Sequence, residues 1–205
     1  MEARLPQAAI QHPQPVDAVA PYPRELVRTV ELKGGRSVRI RPIRPDDEPR
    51  LADLYERLSR DSAYQRFFTL MRHLPSDWYH FFANVDYVRR LALVAERETV
   101  GGVQLIGVGR YEPADEPATA EVAFVVEDGW QERGLGAILL GAVLDAAAAR
   151  GIERFRADVL ADNHRMLRLF TSRTRVEHRA TESGVTALRF RHLDAGAPPR
   201  SGRAG

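Results

Sequence analysis

The segment Gly129–Gly151, GWQERGLGAILLGAVLDAAAARG, places two closely spaced glycines beside an arginine where an alanine-rich helix is predicted to begin. The first turn of a helix leaves about four amide N–H groups unpaired, and the helix dipole adds positive potential, so this junction is suited to binding a phosphate group. Gly134 and Gly136 would let an anion approach, while Gln131 and Arg133 can add donors. The alternative is a plain loop-to-helix junction in which glycine permits tight packing.

This glycine pattern differs from both common nucleotide-binding loops. It lacks the Gly-Lys-Ser/Thr ending of a P-loop, and Leu139 stands where a third small residue of GxGxxG would be needed. ATP hydrolysis and a dinucleotide fold are therefore not expected. Just upstream, Glu121 interrupts the otherwise apolar strand TAEVAFVV, which marks it either as a functional carboxylate or as one that faces solvent or pairs with an arginine such as Arg110.

The elements that must position these residues follow from hydrophobic periodicity. VRIRPI (38–43) alternates as a strand, and Asp46 is the predicted N-cap of the helix that follows it. Apolar residues recur at helical spacing in three short segments, which follow Asp46, Asp61 and Ser76. The three stripes are Leu51, Leu54, Tyr55 and Leu58; Tyr64, Phe67, Phe68 and Met71; and Trp78, Phe81, Phe82 and Val85. Their aromatic side chains are interpreted as core packing rather than as the lining of a substrate groove.

From Leu91 onward the period changes to that of strands. LALVAER, VGGVQLIGVGRY and ATAEVAFVVED predict an antiparallel meander, after which the helix from Leu135 leads to a strand at 154–161. A shorter helix (161–173) and a hairpin across 182–184 complete the pattern. The predicted fold is mixed α/β: a central, mostly antiparallel sheet with a β-α-β core and flanking helices.

Composition sets limits on the domain organisation and on the chemistry. The 205 residues suit one domain at 25–193, between proline-rich or glycine-rich flexible tails at 1–24 and 194–205. The absence of cysteine excludes thiol catalysis and zinc-thiolate sites, and the six histidines show no metal-binding spacing, so no metal is expected.

Charge and hydropathy exclude two kinds of partner. The 30 basic residues nearly balance the 28 acidic ones, giving a net charge of +2, so no nucleic-acid partner is indicated. No apolar run reaches the roughly 18 residues that a membrane span needs, and the N-terminus does not resemble a signal peptide. We therefore expect a cytoplasmic protein without a membrane partner.

The segment AEVAFVVEDGWQERGLGAILL strongly resembles motif A of the GNAT superfamily of acetyl-CoA-dependent N-acyltransferases. Its signature, Gln/Arg-x-x-Gly-x-Gly/Ala, is met by Gln131, Gly134 and Gly136, and ADNHRMLRLF resembles motif B. The resemblance extends over about residues 36–192, and its N-terminal part is similar to bacterial protein lysine acetyltransferases that modify acyl-CoA synthetases. It implies acetyl-CoA as cosubstrate and a protein substrate, possibly such a synthetase, as partner.

The resemblance also implies roles for individual residues. The pyrophosphate of acetyl-CoA would lie on the backbone amides of Glu132, Arg133, Gly134, Leu135, Gly136 and Ala137, flanked by the Gln131 and Arg133 side chains. The pantetheine arm would pair with strand backbone at Phe124, Val125 and Val126. Asn163 would contact the cofactor, unless it only caps the helix that follows it.

For the chemistry, the resemblance implies that Glu121 is the general base and that the amine attacks the thioester directly, without an acyl-enzyme. Phe170 stands where many relatives have a tyrosine that acts as acid, and Thr174-Arg175 replaces their usual Gly-Phe; Ser172 is a remote substitute acid. Two alternatives stay open: an N-acetyltransferase for small amines and a non-catalytic acyl-CoA-binding sensor.

Overall fold

The computed structural model describes residues 19–69 and 74–193. Eight strands and five helices are formed within these ranges. The strands are β1 (Arg28–Glu31), β2 (Ser37–Pro42), β3 (Leu91–Thr99), β4 (Gly102–Pro113), β5 (Thr119–Val126), β6 (Arg154–Leu160), β7 (Thr174–Glu182) and β8 (Val185–His192). The helices are α1 (Glu48–Glu56), α2 (Arg60–Phe67), α3 (Ser76–Ala83), α4 (Leu135–Ala148) and α5 (His164–Arg173).

The strands form one sheet in the order β1-β2-β3-β4-β5-β6-β8-β7. Every neighbouring pair is antiparallel except β5 and β6, which are parallel and are joined through α4. The predicted mixed α/β fold with a β-α-β core is therefore confirmed. The short strand β1, with the sequence RTVE and mostly exposed residues, was not predicted because it has too few apolar residues to show an alternation.

The three short helices begin close to the predicted positions, but their starts differ in detail. Asp46 is not the N-cap of α1, since a short 3₁₀ helix at Pro45–Asp47 precedes it. Asp47 is buried and accepts the backbone N–H of Arg44 at 2.9 Å. α2 is capped by Ser59, whose Oγ accepts from Ser62 N–H, and the predicted stripe residue Met71 lies outside the described residues.

The helices divide between the two faces of the sheet. On one face, α4 and α5 pack against apolar residues of the sheet, as in the contact of Phe170 with Phe124 and Phe190. On the other face, α1, α2 and α3 cover a second cluster that includes Val108 and Val125. Most aromatic residues of these stripes lie in that cluster, for example Tyr55 and Phe82, as core packing predicts. Two do not: Tyr64 is exposed, and Phe68 lies outside the cluster and lines the open cleft in front of α4.

β5 and β6 separate after a short stretch of pairing. Their register runs only from Thr119 opposite Arg154 to Glu121 opposite Arg156, whereas β5 remains paired with β4 as far as Val126. One edge of β5 beyond Glu121 therefore has no strand beside it. This separation opens the sheet directly in front of the N-terminus of α4.

The domain includes residues that the sequence pattern assigned to the N-terminal tail. Ala20 N–H donates to the Asp86 carbonyl at 3.1 Å, and Tyr22 Oη donates to the Pro42 carbonyl at 3.0 Å. Tyr22 also packs edge-on against Tyr87. The predicted boundary at residue 25 is thus a few residues too late, while residues 1–18 and 194–205 lie outside the described part of the chain. None of the helices described is long and apolar enough to cross a membrane.

Candidate active site

An open cleft of about 1110 Å³, part of it open to solvent, lies where β5 and β6 separate. Its walls come from α2, β5, the loop before α4, β6 and α5. Eight of the twelve predicted site residues line it: Glu121, Phe124, Val125, Val126, Gln131, Glu132, Gly136 and Asn163. These eight residues therefore border a single cleft, whereas Arg133, Gly134, Leu135 and Ala137 are not among its lining residues.

The loop before α4 presents a run of unpaired backbone amides. Ile138 N–H makes the first helical bond, to the Gly134 carbonyl at 3.1 Å. Within the described chain, no hydrogen bond uses the N–H groups of Glu132, Arg133, Gly134, Leu135, Gly136 or Ala137. Six consecutive donors at a helix N-terminus, with no acidic residue in the first turn, form a site for an anion.

The two glycines of this loop are suited to their positions for different physical reasons. Gly134 is the N-cap of α4 and has φ 89°, a left-handed conformation that favours glycine. Gly136 is helical, and a Cβ there would meet only Leu169 Cδ2 at 3.7 Å, an ordinary contact. Tight internal packing therefore does not explain Gly136, whose bare backbone faces the cleft. This observation favours anion approach over a plain loop-to-helix junction.

Gln131 is already occupied by three hydrogen bonds. Its Nε2 donates to Ser62 Oγ at 3.0 Å and to the Val126 carbonyl at 3.0 Å, and its Oε1 accepts from Arg165 at 2.6 Å. The Gln131 side chain thus joins α2, β5 and α5 at the rim of the cleft. Arg133 donates through Nε to the Gly129 carbonyl at 3.2 Å, which orders the same loop.

The free edge of β5 can pair with an extended ligand. Glu127 N–H bonds to the Ile106 carbonyl at 2.9 Å, which fixes the phase of the β4–β5 ladder. Because antiparallel backbone groups alternate in direction, Phe124 and Val126 point theirs away from β4 and toward the cleft, whereas Val125 points its groups toward β4. All three residues line the cleft, but only Phe124 offers both backbone groups, because the Val126 carbonyl already accepts from Gln131 and leaves the Val126 N–H.

Asn163 is the N-cap of α5. Its Oδ1 accepts from Met166 N–H at 3.0 Å, and its Nδ2 donates to Gln65 Oε1 of α2 at 3.1 Å. The capping role, one of the two interpretations of this residue, is therefore present. Its side chain also ties α5 to α2 across the cleft.

Glu121 is 7% exposed and lies at the last paired position of β5 and β6. Burial raises the pKa of the Glu121 carboxyl, although the Arg156 guanidinium beside it acts to lower that pKa. Arg156 donates to Glu121 Oε2, with Nη2 at 2.8 Å and Nε at 3.0 Å. Glu121 therefore does not face solvent, but it does pair with an arginine, which was one of the two interpretations of this residue. The partner is Arg156 rather than Arg110, which binds Glu112.

Arg156 and Asp158 were not among the site residues predicted from the sequence. Both lie on β6, two residues apart and so on one face, and Asp158 lines the cleft beside Glu121. Burial also raises the pKa of Asp158, with Arg156 acting in the opposite direction. Their signal was the alternation of charged and apolar residues in RFRADVL, which places Arg154, Arg156 and Asp158 together.

No tyrosine lines the cleft among the described residues. Phe170 occupies the position where the resemblance implies a tyrosine; it is 1% exposed and packs against Phe124 and Phe190. Ser172 is exposed and its Oγ donates to the Leu169 carbonyl at 3.1 Å. Thr174 Oγ1 donates to the Phe170 carbonyl at 2.8 Å, which closes the end of α5 without the usual Gly-Phe.

Two other acidic groups near the loop are structural. Glu127 accepts from Arg57 at 3.2 Å. Burial acts to raise the pKa of Asp128, but hydrogen bonds from Ser59 and Ser62 outweigh it, and the pKa is lowered. Asp128 thereby anchors the start of α2 to the loop. Across residues 19–69 and 74–193, no group of His, Asp or Glu is arranged to hold a metal ion.

A sheet that separates before a helix N-terminus, an anion-binding loop at that helix and a buried carboxylate on the adjoining strand form the arrangement that the resemblance to motif A implies for an acyl-CoA-dependent acyltransferase. The chain belongs to the GNAT acetyltransferase family, whose model matches residues 51–173. It is an acetyl-CoA-dependent N-acetyltransferase.

Relatives of this chain include two bacterial acetyltransferases. Acetyltransferase Pat of Mycolicibacterium smegmatis is 33% identical over 141 residues, which make up 68% of this chain and 41% of that protein. The matched segment thus spans less than half of Pat. An acetyltransferase of Pseudomonas aeruginosa is 29% identical over 135 residues, 66% of this chain and 73% of its own length.

Solved structures resemble the fold described above. The GNAT domain of S. lividans PAT is 38% identical with a TM-score of 0.74, over 83% of this chain and 99% of that one. The cAMP-binding acyltransferase from Mycobacterium smegmatis is 26% identical with a TM-score of 0.56, over 83% of this chain and 49% of that one. An acetyltransferase from Salmonella typhimurium with its cofactor acetyl-CoA shares the fold, with a TM-score of 0.60 at 18% identity.

Proposed function

We propose that this protein transfers the acetyl group of acetyl-CoA to the side-chain amine of a lysine in a protein, with an acyl-CoA synthetase as the acceptor to test first. The observation that carries the proposal is the run of six unpaired amides from Glu132 to Ala137, at one end of a cleft that also contains Glu121.

The anion site fits the pyrophosphate of acetyl-CoA. Backbone N–H groups and the helix dipole bind phosphate oxygens without needing a particular side chain. Because the Gln131 side chain already makes hydrogen bonds within the protein, we assign it a positioning role: it holds α2 and α5 against the loop while the amides bind the ligand. The backbone groups of Phe124 and the Val126 N–H then pair with the amides of the pantetheine arm, as an added strand would.

Glu121 is proposed as the general base. A free lysine amine has a pKa of about 10.4, so it must lose a proton before it can attack. The raised pKa of Glu121 makes this carboxylate a stronger proton acceptor than an exposed glutamate. The amine nitrogen attacks the thioester carbon, its proton passes to Glu121, and the carbon–sulfur bond breaks to release coenzyme A thiolate.

Departure of the thiolate requires little help from an acid. Its ordinary pKa of about 8.5 makes it a good leaving group near neutral pH. The cleft offers no tyrosine within the described residues, and Phe170 contributes an apolar wall. This is consistent with direct attack in which proton removal from the amine is the main chemical task of the protein.

The likeness to Acetyltransferase Pat and to the S. lividans PAT domain supports a protein acceptor. The test is incubation of the protein with acetyl-CoA and a purified acyl-CoA synthetase, followed by mass spectrometry of the acceptor peptides. The expected result is acetylation of a defined lysine that requires Glu121. Release of coenzyme A with small amines, but with no protein tried, would favour a small-molecule acceptor. Binding of acetyl-CoA without transfer of the acetyl group to any amine would indicate a sensor.

A further inference from the structure

One face of the sheet is left open on the side of Glu121. Arg156 on β6 lies opposite Arg189 on β8, and Arg189 lies opposite His178 on β7. Directly opposed residues project to the same face, so these three side chains share the face of Glu121. Arg154 and Arg191 lie two residues from Arg156 and Arg189 along their strands and point in the same direction. Arg175 lies opposite Arg191 and therefore shares this face. We call these six positions the arginine face: Arg154, Arg156, Arg175, His178, Arg189 and Arg191.

The arginine face is accessible, unlike its reverse side. The side chains of Arg189 and Arg191 are 62% and 35% exposed, and Arg154, Arg175 and His178 are exposed. On the reverse side of the same strands, Phe155, Leu188 and Phe190 are buried under α4 and α5. The helices α1, α2 and α3, which cover this side of the sheet over β2 to β5, thus leave β6, β8 and β7 open.

Carboxylates of the protein neutralise only part of the positive charge on this face. Arg189 binds Glu116 at 3.0 Å and Arg191 binds Glu177 at 2.8 Å. Arg154 and Arg175 have no carboxylate within ion-pair distance in the described part of the chain. Exposed ion pairs contribute little to stability, so Arg189 and Arg191 can exchange their partners for incoming carboxylates at low cost.

The arginine face is continuous with the reaction site. Arg156 belongs to both, since it donates to Glu121 while lying in the same row as Arg189. An acceptor lysine that reaches Glu121 from the open side of the sheet brings its neighbouring residues onto this face. We propose that the arginine face binds an acidic segment of the acceptor protein, with aspartate or glutamate residues near the acetylated lysine. This inference rests on the proposed function.

Carboxylates fit this face better than a nucleic acid does. Glu116, Glu177 and Asp158 lie among the arginines or at their edge, and these acidic groups would repel a continuous phosphate backbone. Separate carboxylates on a peptide can instead meet the arginines one at a time, with bidentate geometry. The face therefore fits an acidic peptide segment around one lysine.

The test compares two lysine peptides that differ only in flanking residues, aspartate in one and glutamine in the other. We expect kcat/KM to be about fivefold to tenfold higher for the acidic peptide at low salt, and the preference to shrink as salt rises, because exposed charge pairs are weak and screened. The double variant Arg154→Glu, Arg189→Glu should lose the preference and keep its affinity for acetyl-CoA.

The matched control reverses two exposed arginines at the opposite edge of the sheet, Arg24→Glu and Arg28→Glu, and should keep the preference. Equal kcat/KM for the two peptides, or a preference that survives in the Arg154/Arg189 variant, would overturn the inference while leaving lysine acetylation intact. Stronger competition by DNA than by the acidic peptide would also overturn it. If acetyl-CoA binds but neither peptide is acetylated, the proposed function itself fails.

Discussion

The two ends of the cleft use different parts of the chain. At the α4 end, the ligand contacts offered are backbone N–H groups of Glu132 to Ala137, whose direction depends on the helix start rather than on side-chain identity. At the β6 end, the groups are the charged side chains of Glu121, Arg156 and Asp158, and the pKa values of the two carboxyls depend on desolvation and on Arg156. We call the α4 end the backbone end and the β6 end the side-chain end. Substitutions should therefore affect binding at the first end through backbone access, and reaction rate at the second through charge.

The largest effect is expected at the side-chain end. Glu121→Gln removes the proton acceptor but keeps the shape, so kcat should fall by about 10²- to 10⁴-fold. Because the amides of the α4 loop are unchanged, the dissociation constant for acetyl-CoA should stay within about twofold. Steady-state rates of coenzyme A release and calorimetric titration with acetyl-CoA measure the two quantities. A variant with nearly normal kcat would show that another group removes the proton.

The next largest effect is expected at the backbone end. Gly136→Asp places a carboxylate where the anion must approach, whereas alanine is accepted at this position of the motif A signature. Repulsion of the pyrophosphate, with the loss of even one hydrogen bond to a charged ligand, costs about tenfold to a hundredfold in affinity. The folded protein has room for a Cβ here, and an acidic residue in the first turn suits the helix dipole, so thermal stability should not fall. Calorimetry with coenzyme A and thermal denaturation together separate affinity from folding.

Gly141→Asp is the matched control for that variant, because it adds the same charge. Gly141 lies in the same helix, and a Cβ there would meet nothing within 4 Å. Aspartate is no poorer a helix former than glycine, so neither variant should be less stable than the parent. Equal affinity for coenzyme A in Gly136→Asp, Gly141→Asp and the parent would contradict the anion site at the α4 loop.

The difference between the two ends also explains what the sequence could predict. Gly134 and Gly136 before an apolar helical stripe identify a helix start with free amides, because the consequence is local to the chain. The partner of Glu121 was not predictable, because Arg156 is 35 residues away and meets it only through the parallel pairing of β5 and β6. The hydrogen bonds of Gln131 to Ser62 and Arg165 are likewise set by tertiary packing.

A third, smaller effect concerns the pH dependence at the side-chain end. Burial raises the pKa of Glu121 and Arg156 opposes that rise, so Arg156→Gln should raise the pKa further. The base must be ionised to accept a proton, so activity falls as pH drops through this pKa. The acid limb of the kcat/KM profile should therefore move to higher pH, with little change in rate at pH values well above it.

Arg156→Lys is the control for this prediction. Lysine restores a positive charge without the bidentate geometry of arginine, so it should return the limb part of the way toward its original position. A merely structural role for Arg156 would lower the rate at all pH values without moving the limb. An unmoved limb in Arg156→Gln would therefore show that the ion pair with Glu121 does not tune the base.

The smallest effect is expected where the two ends meet, at Gln131. Gln131→Ala removes the bonds to Ser62 Oγ and to the Val126 carbonyl, which hold α2 beside the free edge of β5, and the bond accepted from Arg165 of α5. Because these bonds position the walls of the cleft rather than contact the ligand, we expect KM to rise only about threefold to tenfold for both acetyl-CoA and the acceptor. Ser62→Ala should show a similar change, and the double variant should cost less than the sum if the two residues act through the same bond. A rise confined to acetyl-CoA would instead mean that Gln131 belongs to the backbone end alone, and that α2 does not couple cofactor binding to acceptor binding.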